Sequence, residues 1–257
     1  MKLASTGKGG VGKTTLASLL ARVYAAQGRT ILAIDADPDA NLAAALGYAP
    51  EEFSKITPVS EMSELIEERT GAKPGTTGGY FKINPRVDDI PDRFSASRNG
   101  VKLLVMGGIK KGGGGCICPE SVLLRSLVNH LILYQKDVVI MDMEAGIEHL
   151  GRATAQSVDA FIVVVEPGQR SFQTARSIRR LAKEIGIERT FVVGSKVMGD
   201  DDRRLVAESL PDFEVLGFLS YSSLVQRADM LGQSVYDTDP NAAREAADIA
   251  SRLEQII

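Results

Sequence analysis

Residues 7–15 read Gly-Lys-Gly-Gly-Val-Gly-Lys-Thr-Thr, and this stretch decides the fold. A short, mostly apolar run, Met1 to Ser5, precedes it, and Leu16, Leu19, Leu20 and Val23 follow at helical spacing. Strand, glycine-rich loop and helix, with Gly-Lys-Thr at the junction, is the layout of a phosphate-binding loop. Glycines let backbone N–H groups close around phosphate oxygens without Cβ clashes. The helix N-terminus adds partial positive charge. The expected contacts run through Gly9, Gly10, Val11 and Gly12, with Lys13 reaching the β- and γ-phosphates, the Thr14 hydroxyl on Mg2+ and Thr15 beside it. Lys8 is a second lysine that an ordinary loop of this kind does not need.

Outward from the loop, β-rich apolar runs alternate with helical patterns. The runs are Thr30–Ile34, Val101–Met106, Val138–Met141, Ala160–Val165, Thr190–Val193 and Phe213–Leu219; the helical patterns include Ser121–Leu133, Ser171–Ile185 and Ala242–Ile257. Unbroken Val/Ile runs between amphipathic helices predict an α/β, three-layer fold, a mostly parallel central sheet with helices on both faces. The expected organisation is one domain over residues 1–257, with an irregular insertion at about 49–99 and a Gly-rich loop plus a Cys-x-Cys segment at 107–118.

Bulk properties narrow the function classes. The net charge is −3, which argues against a nucleic-acid binder driven by phosphate contacts. No apolar run approaches the roughly 18 residues of a membrane span, and the N-terminus lacks a signal-peptide layout. With two cysteines in 257 residues, the cytoplasm is the expected compartment.

Ile34-Asp35-Ala36-Asp37-Pro38-Asp39 follows an apolar run, which places its carboxylates at the C-terminal end of a strand, the ligand-binding edge of such sheets. Asp142 ends another run and precedes Met143-Glu144-Ala145-Gly146. A carboxylate there could hold a Mg2+-bound water, and the glycine could let the loop respond to a γ-phosphate. The candidate switch residues are Asp37, Asp39, Asn41, Glu144, Gly146 and His149. With these segments on one edge, Lys-Gly-Gly-Val-Gly-Lys-Thr resembles the deviant Walker A loop of the ParA/MinD-type P-loop NTPases. The resemblance implies an ATPase in which Lys8 reaches a partner's nucleotide, Asp37 orients the attacking water, and Asp35 and Asp142 lie near hydrated Mg2+. It also implies that ATP closes a homodimer and hydrolysis opens it. The family often has Asn-Lys late in the chain, with the Asn on adenine; here the pair is Ser195-Lys196, and serine lacks the amide's paired donor and acceptor. Phe218–Tyr221 is the other stretch where base contacts are expected.

Both cysteines sit in Gly114-Gly115-Cys116-Ile117-Cys118-Pro119-Glu120. Two thiolates bind one soft metal but leave a tetrahedral site half made, and a symmetric dimer would supply four. Ordinary small residues or a redox pair are the plainer alternatives. Together with Met141–Arg152, this segment resembles the CooC family of ATP-dependent maturation factors for nickel insertion into carbon monoxide dehydrogenase, with relatives serving acetyl-CoA synthase. The resemblance implies Ni2+ or Zn2+ on Cys116 and Cys118 at the dimer interface, ATP/ADP and Mg2+ in the loop, a client nickel enzyme, and no nucleic-acid or membrane partner. Two other readings share the loop: a MinD/ParA-type positioning switch, and an iron-protein-like ATPase with a bridging [4Fe–4S] cluster. The first predicts a basic amphipathic tail, whereas Ala242, Ala246, Ile249 and Leu253 look like core packing. His130 lies in a helical pattern and reads as structural.

Overall fold

Six consecutive apolar residues, Ala160–Val165, are all buried, which requires a strand covered on both faces. The computed structural model describes residues 1–76, 80–107, 118–135, 137–144 and 157–257. Its strands are β1 (Lys2–Thr6), β2 (Ile31–Asp35), β3 (Ala96–Arg98), β4 (Val101–Val105), β5 (Val138–Asp142), β6 (Ala160–Val165), β7 (Thr190–Val197) and β8 (Glu214–Ser220). They form one sheet in the order β3-β4-β2-β5-β1-β6-β7-β8, parallel throughout except for the short edge strand β3.

The described helices are α1 (Lys13–Ala26), α2 (Leu42–Ala45), α3 (Pro50–Phe53), α4 (Ser63–Thr70), α5 (Ile90–Phe94), α6 (Pro119–Tyr134), α7 (Gln169–Ile185), α8 (Asp200–Ser209), α9 (Ser223–Leu231), α10 (Val235–Thr238) and α11 (Pro240–Ile256). Successive strand residues point to opposite faces, and the core divides accordingly. Leu32, Ile34, Val139, Met141, Phe161 and Val163 pack with residues of α4, α6, α7 and α8. Ile31, Ala33, Val138, Ile140, Ala160 and Ile162 pack with residues of α1 and α11. This is the three-layer α/β architecture the apolar runs predict.

The stretch 49–99 departs from its reading as an irregular surface insertion. It holds α3, α4, α5, a 3-10 turn at Val59–Glu61 and strand β3. Val59, Leu65, Ile66, Val87 and Ile90 are buried in the same layer as α6. The longest of these elements is the eight-residue α4, just over two turns, too short to leave a periodic signal. Strand β7 also runs past Val193, where the apolar run stops, because Gly194, Ser195 and Val197 stay paired with β8. Gly194 is required there: a Cβ would lie 2.5 Å from Phe218 Cδ1.

Candidate nucleotide site

The loop leaves β1 at the sheet centre and is shaped by close approach. Gly7 has φ +150°, and a Cβ there would lie 2.4 Å from the Val164 carbonyl oxygen on the neighbouring strand. Gly12 has φ +99°, and its Cβ would lie 2.8 Å from Ser195 Oγ. Gly12 is also the N-cap of α1, where no side chain caps the first turn, so those N–H groups remain free for an anion. Lys13 is buried, and its Nζ donates to the Lys8 carbonyl at 3.5 Å, a long bond that a better acceptor would displace.

Strand register brings the carboxylates together. Asp142 is the cross-strand partner of both Ser5 and Asp35. The Thr14 hydroxyl donates to Asp142 Oδ2 at 2.6 Å, and Ser5 Oγ donates to Oδ1 at 3.3 Å. Burial pushes the Asp142 carboxyl up to about 6; the Thr14 hydrogen bond and the Lys13 charge oppose that shift, and the Asp37 charge adds to it. Asp35 is fully buried, and burial raises its carboxyl to about 7, with the Asp142 charge adding to the rise. Its oxygens accept the backbone N–H groups of Leu42 at 2.9 Å and Asp37 at 3.3 Å. Asp35 therefore fixes the loop that carries Asp37, and Asp142 faces the phosphate loop. Asp37 Oδ1 accepts the Asp39 N–H at 3.0 Å, and Asn41 Nδ2 donates to the Asp39 carbonyl at 2.6 Å.

These groups border a cleft of about 590 Å3, within the range of small-molecule sites. Gly9, Gly10, Gly12, Lys13, Thr14 and Thr15 form its floor. Asp37, Asp39, Asn41 and Glu144 line it as well. The wall also includes Val225, Gln226, Asp229, Gln233 and Val235, none of which belongs to a motif. Their signal was the capping serine: Ser222 Oγ accepts the Leu224 N–H, so α9 starts directly after β8 at the same sheet edge. The expected base-contact stretch Phe218–Tyr221 does not line the cleft. Phe218 packs on Gly194, and Tyr221 is exposed and does not line the cleft.

Lys196 lines the cleft, while Ser195 is buried behind Gly12 and does not. Lys196 has a left-handed backbone, φ +57°, and its Nζ donates to the Gly10 carbonyl. Glu166, just past β6, lies 3.8 Å from Lys196 Nζ and 3.6 Å from Lys8 Nζ, so it holds both lysines at the loop surface. Val11 is fully buried beneath the loop. Cys118 is the N-cap of α6, half-buried, with Sγ 2.8 Å from Ser121 Oγ. Cys116, Gly146 and His149 lie outside the described residues. No cluster of three or more His, Cys, Asp or Glu suited to a metal occurs among the described residues. His130 packs its ring 5.4 Å from that of Tyr134.

A central strand, a glycine loop opening α1 and a paired Thr–Asp at its mouth define a P-loop nucleotide-binding protein. The family model for the CobQ/CobB/MinD/ParA nucleotide binding domain matches residues 3–235. The carbon monoxide dehydrogenase accessory protein CooC of Rhodospirillum rubrum is 46% identical over 258 residues, covering 100% of this chain and 97% of that protein. An uncharacterized ATP-binding protein of Methanocaldococcus jannaschii is 47% identical over 248 residues, covering 95% and 94%. The MinD cell division protein of Aquifex aeolicus superposes with a TM-score of 0.70 at 19% identity, covering 99% of this chain and 98% of that one, which shows the shared fold. The chain belongs to the CooC family within the MinD/ParA-type P-loop NTPases.

Proposed function

We propose that this protein is a cytoplasmic ATPase that works as a homodimer, binds Ni2+ or Zn2+ through Cys116 and Cys118 of both subunits, and assists nickel insertion into carbon monoxide dehydrogenase or acetyl-CoA synthase. The observation that carries this reading is the full-length, 46% identity to a carbon monoxide dehydrogenase accessory protein. The site geometry supports the ATPase half. Lys13 and the free N–H groups of α1 would bind the β- and γ-phosphates. Thr14 and Asp142 offer a hydroxyl and a carboxylate 2.6 Å apart, hard oxygen donors that fit Mg2+. When bound there, Mg2+ would neutralise charge on the β- and γ-phosphates. Asp37, beside the loop and half-exposed, would orient a water toward the γ-phosphate.

The metal half rests on chemistry. One chain contributes two thiolates, and a two-fold axis would complete four ligands for a metal cargo. Anaerobic Ni2+ and Zn2+ titration followed by native mass spectrometry, with and without ADP and ATP, tests it. The expected result is one metal per dimer, lost in Cys116→Ala while nucleotide binding persists. Unchanged metal stoichiometry in that variant would sink the proposal.

A further inference from the structure

The helix after β6 has a charge pattern that the nucleotide site does not use. Between residues 169 and 189 there are six basic side chains against two acidic ones, in a chain whose net charge is −3. Helix α7 buries Phe172, Ala175, Ile178 and Ala182 against the sheet. Its opposite face exposes Gln173, Arg176, Arg180 and Lys183, spaced three, four and three residues apart, which puts them on one stripe. Among the described residues, Arg176, Arg180 and Lys183 have no carboxylate within ion-pair distance. The guanidinium of Arg176 donates to the Ser209 carbonyl at 2.8 Å. Only Arg179, off the stripe, is paired: it lies 4.0 Å from Asp212 and stacks on Phe213. Arg203 and Arg204 on the adjacent α8 lie near Asp200 and Asp201, as surface arginines commonly do. Glu184, exposed and four residues after Arg180, shares this face, so the α7 stripe carries three cations against one carboxylate, still a local inversion of the protein's charge.

We infer that this stripe is the docking surface for an acidic patch on the client enzyme; the inference rests on the maturation role proposed above. Position and size favour a protein partner. The helix packs on the same sheet face as α6, whose N-cap is Cys118, so a client on the stripe approaches the side of the molecule that carries the cysteine helix. Arg176 to Lys183 spans only about 10 Å of helix. That length suits a few carboxylates. Duplex DNA is a longer polyanion and would need phosphate contacts beyond this length. The stripe's function would be to steer the encounter, because rim charges act mainly on association rate and salt dependence.

The test measures association of the full-length protein with carbon monoxide dehydrogenase by biolayer interferometry at about 50 and 300 mM salt, a range over which exposed charges become screened. Arg180→Glu/Lys183→Glu is the test variant and Arg204→Glu the control; duplex DNA binding is followed in parallel by fluorescence anisotropy. In the test variant the on-rate should fall about tenfold at low salt, with a flatter salt dependence. Its nickel stoichiometry and nucleotide affinity should match wild type, and the control should associate normally. A test variant that associates with wild-type rate and salt slope overturns the docking surface while leaving the maturation role intact. Loss of duplex DNA binding with client association preserved reassigns the stripe to nucleic acid. If the wild type binds neither this enzyme nor acetyl-CoA synthase in the same assay, the maturation role and the docking surface fall together.

Discussion

Gly12 and Gly9 sit three residues apart in the same loop and are held to different standards. Gly12 is left-handed and pressed against Ser195, whereas a Cβ on Gly9 would meet nothing within 4 Å. Gly12→Ala should destabilise the fold by about 1–3 kcal/mol and impair nucleotide binding, because a strained backbone is added to a steric contact. Gly9→Ala should stay within about 0.5 kcal/mol of wild type. Denaturant unfolding of the two variants checks this, and equal losses would contradict it. Asp35 and Asp142 make a second, pH-dependent case. Their folded-state values, about 7 and about 6, lie above the ordinary 3.8, so folding favours the neutral forms. The stabilisation they contribute is complete below about pH 4 and is lost as pH rises through about 6 and 7. The nucleotide-free protein in a chelator should therefore show a melting midpoint that falls between about pH 4 and 7. Asp142→Asn, whose amide oxygen still accepts from Thr14, should flatten part of that fall. Calorimetry across the pH range reads both, and a midpoint rising with pH in the wild type and unchanged in slope in the variant would refute the assignment.

Helix α11 decides between a packed terminus and a membrane tail. Ala242, Ala246, Ile249 and Leu253 are all buried, and a Cβ on Gly217 of β8 would lie 2.7 Å from Ile249 Cγ1, so the helix lies tightly on the sheet. Ile249→Ala should cost about 2–5 kcal/mol in urea unfolding, the range for emptying a buried aliphatic site. A peripheral membrane helix would tolerate that change and lose liposome binding instead. The stripe was legible in the sequence because seventeen helical residues leave a clear period, and so were the long parallel strands. The elements between residues 49 and 99 were not, because helices of four to eight residues carry almost no period, and their burial depends on α6 arriving later in the chain. The same division runs through the site. Lys13, Thr14 and Asp142 could be read from a local motif and a strand end. Ser222 marks where α9 starts, but that Gln226, Asp229 and Gln233 line the cleft follows only from the β7–β8 pairing that sets the helix there. Ser195 stands where the family's asparagine would contact adenine, but in the strand that continues to Val197 it lies behind Gly12 and does not line the cleft.

Across the assembled fold, the loop at the sheet centre carries two lysines with different restraints. Lys13 is buried in the loop, while Lys8 stands about two-fifths exposed, 3.6 Å from Glu166. An ion pair this open is worth only about 0–1 kcal/mol, so it can be exchanged for a phosphate without a large loss. The free subunit thus stores Lys8 at its surface, and in the proposed dimer the lysine would meet the partner's nucleotide. A γ-phosphate held from both sides gives ATP a higher affinity for the closed state than for the separate subunits, which is the condition for a ligand to shift that equilibrium. ADP lacks that group and gives no such preference. Lys8→Ala should then bind ATP and ADP with near-normal affinity, since Lys13 and the α1 N-terminus are untouched, but remain monomeric with ATP. Calorimetric titration of nucleotide alongside multi-angle light scattering separates the two properties. Normal ATP-driven dimers in Lys8→Ala would remove the lysine from the interface, and lost nucleotide binding would place it within its own subunit's site.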